Sequence, residues 1–199
     1  NQPSSWTTTM SGNVIVTMGS MNLPIPVSAN FGSLSTDAHS GVSALKLQAQ
    51  TVGVAGTDYS YTFPGMAQLG AAGQFNIPMS TIQALLTDPT AISFSDASTL
   101  TTLAQLIAHG DALSQTPVSV KMWVKYVPQN GDSLHVIAYT KQNMTPVAYA
   151  SFGTNATMND YTQITVPFDH PFTTCDSICI VIFSGGFNTN LTTELYVDD

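Results

Sequence analysis

Few residues in this chain could carry out catalysis. It has a single glutamate, Glu194, and a candidate partner such as Asp198 lies on the same short predicted strand. Glycoside hydrolysis needs two carboxylates that flank a bond, and one strand does not build such a cleft. The remaining candidates are four histidines without metal-ligand spacing, His39, His109, His135 and His170. Zincin, nucleophile-elbow, phosphate-loop and dinucleotide motifs are absent, so we predict that the protein is not an enzyme.

Cys175 and Cys179 are the two cysteines of the chain. Positions i and i+4 of one extended strand lie about 13 Å apart, which is too far for a disulfide bond. The pair is therefore either two buried thiols or a disulfide closed across a tight turn at Asp176 and Ser177. A zinc site is not expected, because two cysteines without a nearby histidine pair do not complete a tetrahedral ligand set.

Composition limits the classes of partner. The chain has 199 residues, which fits a single domain over residues 1–199, and only 8% are charged. Its net charge is −8 and its four basic residues are all lysine, which argues against binding nucleic acid. No run of 18 apolar residues suggests a membrane span. A surface rich in uncharged hydroxyls is typical of a secreted or cell-surface protein.

The clearest structural signal is strict alternation of apolar and polar residues over 118–127 and 133–141. A five-residue turn between them predicts a hairpin in which Val124 pairs with Val136 and Met122 pairs with Ala138. One face of this hairpin is expected in the core: Val120, Met122, Val124, Tyr126, Leu134, Val136 and Ala138.

Further short strands are predicted at 13–18, 42–49, 58–63, 147–152, 161–168, 178–183 and 194–197. Many short strands at this spacing indicate an all-β fold, an antiparallel jelly-roll β-sandwich. Residues 64–116 differ and predict a small insert, with a glycine-rich loop over 65–73. A capping box at 80–83 starts one helix, which ends before Pro89, and a second helix is predicted over 99–109.

Several short motifs occur in a recognisable order. Residues 43–47 (SALKL) are followed by 123–128 (WVKYVP), Gly131-Asp132, 176–178 (DSI) and 195–199 (LYVDD). Together they resemble a jelly-roll domain of secreted and surface proteins of the Bacteroidota, the family named "putative carbohydrate metabolism domain", which is similar to carbohydrate-binding modules found upstream of type IX secretion sorting domains. The resemblance spans about residues 41–199, with Val124 where an aromatic residue is usual.

The resemblance implies a secreted or cell-surface β-sandwich with an accessory glycan-binding or structural role and no catalytic activity. Sandwiches of this type often hold a structural calcium ion through an aspartate near the last strand, and Asp198 is the matching position. Carboxylate and carbonyl oxygens are the ligands that calcium prefers. The alternative is that Asp198 and Asp199 are a solvent-exposed doublet.

A ligand-binding face is predicted opposite the core side of the hairpin. It would combine flat rings for the C–H faces of sugars with polar groups for their hydroxyls. Its members are Trp123, Tyr139, His135, Lys121 and Lys125. The competing interpretation is that the helices of the insert bury this same face.

A second function remains open, that of a structural or adhesive subunit of a surface layer or filament. Low charge permits close contacts between subunits, and exposed edge strands of a sandwich can pair with another copy of the chain to form a homo-oligomer. The polar N-terminal residues 1–12 are the candidate donor segment.

Overall fold

The computed structural model describes residues 6–18, 20–53, 60–70, 74–78, 80, 110–171, 173–186 and 190–199. Within them the chain is built from β-strands, as its alternating patterns predict. Apart from Ser80, the two predicted helices at 80–89 and 99–109 lie outside the described residues. The strands are β1 Trp6–Thr7, β2 Thr9–Met18, β3 Met21–Asn30, β4 Gly32–Ser35, β5 Ala44–Gln48, β6 Gln50–Gly53, β7 Ser60–Phe63, β8 Met66–Leu69, β9 Gln74–Pro78, β10 Asp111–Ala112, β11 Ser119–Val127, β12 Leu134–Gln142, β13 Thr145–Thr154, β14 Met158–Pro167, β15 Ser177–Phe183 and β16 Glu194–Asp198.

Two antiparallel sheets form the sandwich. Sheet I has the strand order β14-β11-β16-β5-β4, and sheet II has the order β1-β8-β15-β12-β13, with β10 also pairing with β15. The predicted β-sandwich is confirmed, and the jelly-roll topology stays a prediction. A smaller sheet, β3-β2-β9, and the pair β6-β7 complete the described strands.

The core lies between the inner faces of the two sheets. Sheet I contributes Val124 and Tyr126, and sheet II contributes Leu134, Val136 and Ala138, all fully buried. The Tyr126 hydroxyl donates to the Ser184 carbonyl at 2.9 Å, which satisfies a polar group that burial would otherwise penalise. Every residue predicted for the core side of strands 118–127 and 133–141 is buried.

The predicted hairpin between these two strands is wrong. β11 pairs with β14 and β16 in sheet I, whereas β12 pairs with β13 and β15 in sheet II. The turn between them therefore crosses the sandwich, with Asn130 and Gly131 at φ values of 51° and 83°. Both strands bury an apolar face in the same core. Alternation therefore predicts which face is buried, but it does not show whether the two strands pair in one sheet or face each other across the roughly 10 Å between two packed sheets.

Two further expectations need correction. The loop predicted over 65–73 contains strand β8, which pairs with β1 and β15, so part of the expected insert belongs to sheet II. Part of the candidate donor segment, residues 6–12, pairs with β8 and with β3 of the same chain. Edge-strand oligomerisation stays a prediction.

Among the described residues, no helix has the length and apolarity to cross a bilayer.

Candidate functional site

The outer face of sheet I carries a cluster of rings and ion pairs. Side chains alternate between the two faces of a strand. Val124 and Leu195 point into the core, so their neighbours Trp123, Lys125 and Tyr196 point outward. Strand pairing places Trp123 opposite Asp198, Lys125 opposite Tyr196, and Tyr196 opposite Lys46. The loop between β4 and β5 contributes Asp37 and His39. We call the following residues the sheet I cluster: Asp37, His39, Lys46, Trp123, Lys125, Tyr161, Glu194 and Tyr196.

The aromatic half of the sheet I cluster is centred on a stacked pair. The His39 ring lies 3.8 Å from the Trp123 ring, measured between centroids, with 12° between their planes. Tyr161 lies beside His39 at a centroid distance of 6.0 Å, and its hydroxyl donates to the Asp37 carbonyl at 2.6 Å. Burial raises the pKa of Tyr161, and the negative charge of Asp37 adds to this effect, so Tyr161 remains a neutral hydrogen-bond donor.

Carboxylates at the end of β16 hold the His39 loop against the sheet. Asp199 accepts a hydrogen bond from Ser40 Oγ at 2.7 Å, and its Oδ2 lies 3.0 Å from His39 Nδ1. Asp198 Oδ2 accepts the Ser40 backbone N–H at 2.9 Å. The hydrogen bonds from Ser40 and then His39 lower the pKa of Asp199. These contacts fix the position of His39 over Trp123.

The ionic half of the sheet I cluster surrounds Tyr196. Lys46 Nζ lies 2.6 Å from Glu194 Oε1, and Lys125 Nζ lies 2.6 Å from Asp37 Oδ2. The two ammonium groups lie 5.3 and 5.4 Å from the centre of the Tyr196 ring, within the range of cation–π attraction.

These ion pairs stabilise the charged forms of Glu194, Lys46 and Lys125. The Lys46 hydrogen bond lowers the pKa of Glu194. Burial alone would lower the pKa of Lys46, but hydrogen bonds to Glu194 and Tyr196 outweigh it and raise that pKa. The hydrogen bond to Asp37 likewise raises the pKa of Lys125.

Glu194 and Asp198 do not match the acid and nucleophile of a glycosidase. A general acid needs a raised pKa, whereas the pKa of Glu194 is lowered. Glu194 and Asp198 lie four positions apart on strand β16, a backbone separation of about 13 Å, which exceeds the roughly 5–9.5 Å between the carboxylates of glycosidases. The cluster instead offers flat rings, ammonium donors and carboxylate acceptors.

The five residues predicted to form one ligand-binding face lie on two sheets. Trp123 and Lys125 belong to the sheet I cluster, and Lys121 lies on the same strand as an exposed side chain. The placement of His135 and Tyr139 beside them is wrong, because both lie on β12 in sheet II and are 8% and 0% exposed. The error follows from the hairpin that does not form. A ligand-binding role for Trp123, Lys121 and Lys125 stays a prediction.

His135 and Tyr139 lie on a second buried face, the outer face of sheet II. Burial lowers the pKa of His135. Tyr139 pairs across strands with Cys179, and burial raises the pKa of the Cys179 thiol. The competing interpretation, in which the helices of the insert cover this face, stays a prediction because those helices lie outside the described residues. Both cysteines are free thiols.

Asp198 was the candidate calcium ligand. Its two carboxylate oxygens accept backbone N–H groups from Ser40 and Asp199. In the part of the chain that the structure describes, no three His, Cys, Asp or Glu side chains gather as a metal site. Calcium at Asp198 stays a prediction, which a calcium-dependent rise in Tm that is lost in Asp198→Asn would support.

Sequence reasoning missed most of the sheet I cluster. Lys46 and Tyr196 could have been found, because each alternates with buried residues on a predicted strand. Asp37 and His39 lie in an irregular loop, and Tyr161 faces them from β14. No local pattern indicates that His39 meets Trp123 and Tyr161, or that Asp37 meets Lys125, since each of these contacts joins residues more than 80 positions apart.

Comparisons with known proteins place the fold among solved structures. No protein-family model matches the chain, and no curated protein matches it. A protein from Bacteroides thetaiotaomicron, described as a "putative glycoside hydrolase", has a TM-score of 0.53 at 12% identity, covering 95% of this chain and 69% of that one. A protein from Bacteroides vulgatus with the same description has a TM-score of 0.53 at 13% identity, covering 98% and 96%. These likenesses support the β-sandwich architecture, and both come from the bacterial group of the predicted resemblance.

Proposed function

We propose that this protein is a non-catalytic, secreted or cell-surface module that binds neutral glycans on the sheet I cluster. The observation that carries the proposal is the His39–Trp123 stack, bordered by Tyr161 and by two ion pairs on one sheet face. The glycoside-hydrolase description of the two Bacteroides neighbours adds support for a carbohydrate ligand.

The geometry suits the two kinds of surface that a sugar presents. The side chain of His39 is 32% exposed and is held flat by Trp123 behind it, so its ring can pack against the C–H face of a pyranose. Asp37 and Asp199 are 44% and 45% exposed at the edges of the stack. Their carboxylates can accept hydrogen bonds from sugar hydroxyls, and charged acceptors make the stronger hydrogen bonds.

The charge of this face favours neutral glycans over anionic ones. This face carries four carboxylates, those of Asp37, Glu194, Asp198 and Asp199, against three ammonium groups, and two of these, on Lys46 and Lys125, are ion-paired whereas Lys121 is exposed. A uronate or sulfate group would meet this negative excess and a protein of net charge −8. Neutral hexose polymers avoid that repulsion.

The test is titration calorimetry of the chain with matched neutral and uronic-acid oligosaccharides. We expect binding of a neutral oligosaccharide, weaker binding of its uronic-acid counterpart, and a loss of about tenfold or more in affinity in His39→Ala and Trp123→Ala, which corresponds to about 1.4 kcal/mol. The matched control is Leu34→Ala, a truncation of a side chain 56% exposed on β4 of the same sheet, which should bind as the unmodified chain does.

His39→Ala protects the test against misfolding, because it truncates an exposed loop residue and leaves the β11 strand intact. The proposal would be overturned if no neutral oligosaccharide bound. It would also be overturned if His39→Ala and Trp123→Ala bound the oligosaccharide as tightly as the unmodified chain.

A further inference from the structure

An apolar cleft opens beside the sheet I cluster, between the two sheets at one end of the sandwich. It encloses about 260 Å³. Its floor is made of inner-face side chains from both sheets, Leu45, Val120, Met122, Ile180 and Val197. Trp6, on edge strand β1, forms one wall. The cleft is therefore an open continuation of the hydrophobic core.

The rim of this cleft is polar and is shared with the sheet I cluster. Lys121, Asp198 and Asp199 line it. Asp198 pairs across strands with Trp123, and Asp199 contacts His39 at 3.0 Å. A ligand on the His39–Trp123 stack thus lies next to the mouth of the cleft.

The chemistry of the cleft selects an apolar occupant. An apolar cavity of about 150 Å³ stays dry and binds a benzene-sized ligand, and this cleft is larger. Two valines flank it in sequence, Val42 beside the rim and Val118 beside the start of β11, at 76% and 50% exposure. Both valines lie within two positions of a residue that lines the cleft and expose apolar surface to solvent.

We propose that this cleft binds the apolar substituent of a glycan, an acyl ester or an alkyl or aryl aglycone, whose sugar ring lies on the sheet I cluster. The proposal rests on the proposed glycan-binding function and names its ligand class more closely. The carboxylates of Asp198 and Asp199 lie at the shared rim. They would mark the boundary between the sugar on the sheet I cluster and the apolar group in the cleft.

The experiment is a titration of the chain with a series of alkyl glycosides of one neutral sugar, from methyl upward, below their micelle-forming concentrations. Burial of each added methylene should lower Kd about fourfold, until the chain fills the cleft and the gain stops. Trp6→Ala removes a partly buried wall of the cleft and should flatten this dependence on chain length while leaving methyl glycoside binding unchanged. Ser43 also lines the cleft, so Ser43→Trp places a bulky ring in it and should have the same effect.

Each outcome separates this proposal from the proposed function. Binding of the methyl glycoside with no gain from longer alkyl chains overturns the cleft proposal and leaves glycan binding supported. Equal binding of alkyl glycosides and sugar-free alkanols, unaffected by His39→Ala, overturns both. A chain-length gain that requires both the sugar and Trp6 supports the cleft proposal.

Discussion

His39 and Trp123 stack with ring centroids 3.8 Å apart although they are 84 positions apart in the sequence. The stack joins the loop between β4 and β5 to strand β11 of sheet I, so it reports on whether that loop lies against the sheet. The chain has two tryptophans, Trp6 and Trp123. In a Trp6→Phe background, emission comes from Trp123 alone. We expect His39→Ala to shift this emission to longer wavelength, because water replaces the imidazole. Unchanged emission, with Leu34→Ala as the control, would contradict the stack.

The Lys46–Glu194 pair makes a pH-dependent contribution to stability. Because the folded-state pKa of Glu194 is lowered from 4.5, its stabilisation is present above the unfolded pKa and is lost as pH falls through the folded pKa. Both side chains are partly exposed, at 20% and 35%, so Glu194→Gln should cost only a few tenths to about 1 kcal/mol at neutral pH. The difference in denaturation midpoint between the variant and the unmodified chain should shrink below about pH 4. A difference that grows on acidification would refute the assignment.

Gly65 marks a close approach between two backbones. A Cβ at this position would lie 2.5 Å from the Gln48 nitrogen and 2.7 Å from the Leu47 carbonyl carbon, and neither backbone atom can move without disturbing sheet I. Gly65→Ala should therefore destabilise the fold by about 1–3 kcal/mol. Gly53→Ala is the matched control, since a Cβ there meets nothing within 4 Å. Equal Tm values for the two variants would disprove the close approach.

The two cysteines should differ in reactivity. Cys179 is fully buried, and burial raises the pKa of its thiol, so little reactive thiolate forms at neutral pH. Cys175 is partly exposed. Iodoacetamide should modify Cys175 in the native protein and both residues after denaturation, as peptide mass spectrometry would show. Native labelling of Cys179 at a comparable rate, with Cys175→Ser as the reference, would contradict its burial.

Alternation carries most of what the sequence reveals about the fold. It correctly predicted the burial of Val124 and Leu134, because a period of two residues is a direct consequence of strand geometry. It could not assign these residues to different sheets, because a turn that crosses the sandwich resembles a hairpin turn in length. The same ambiguity led to the wrong prediction that His135 and Tyr139 lie on one face with Trp123.

The candidate site was only partly predictable for a different reason. Trp123 and Lys125 were correctly expected on the outer face of their strand, since local alternation alone directs them there. Asp37 and His39 reach them through a loop whose shape depends on Ser40 and the carboxylates of β16. Such contacts depend on the whole fold and leave no signature over a short window of sequence.

The unequal exposure of the four lysines affects how the protein can be handled. Lys46 and Lys125 are ion-paired and Lys141 is buried, whereas Lys121 is exposed on β11. Among the lysine side chains, amine-reactive dyes and biosensor surfaces will therefore react chiefly with Lys121. That attachment would tether the protein at the rim of the cleft and hide it from ligands, so immobilisation through Cys175 is the better choice.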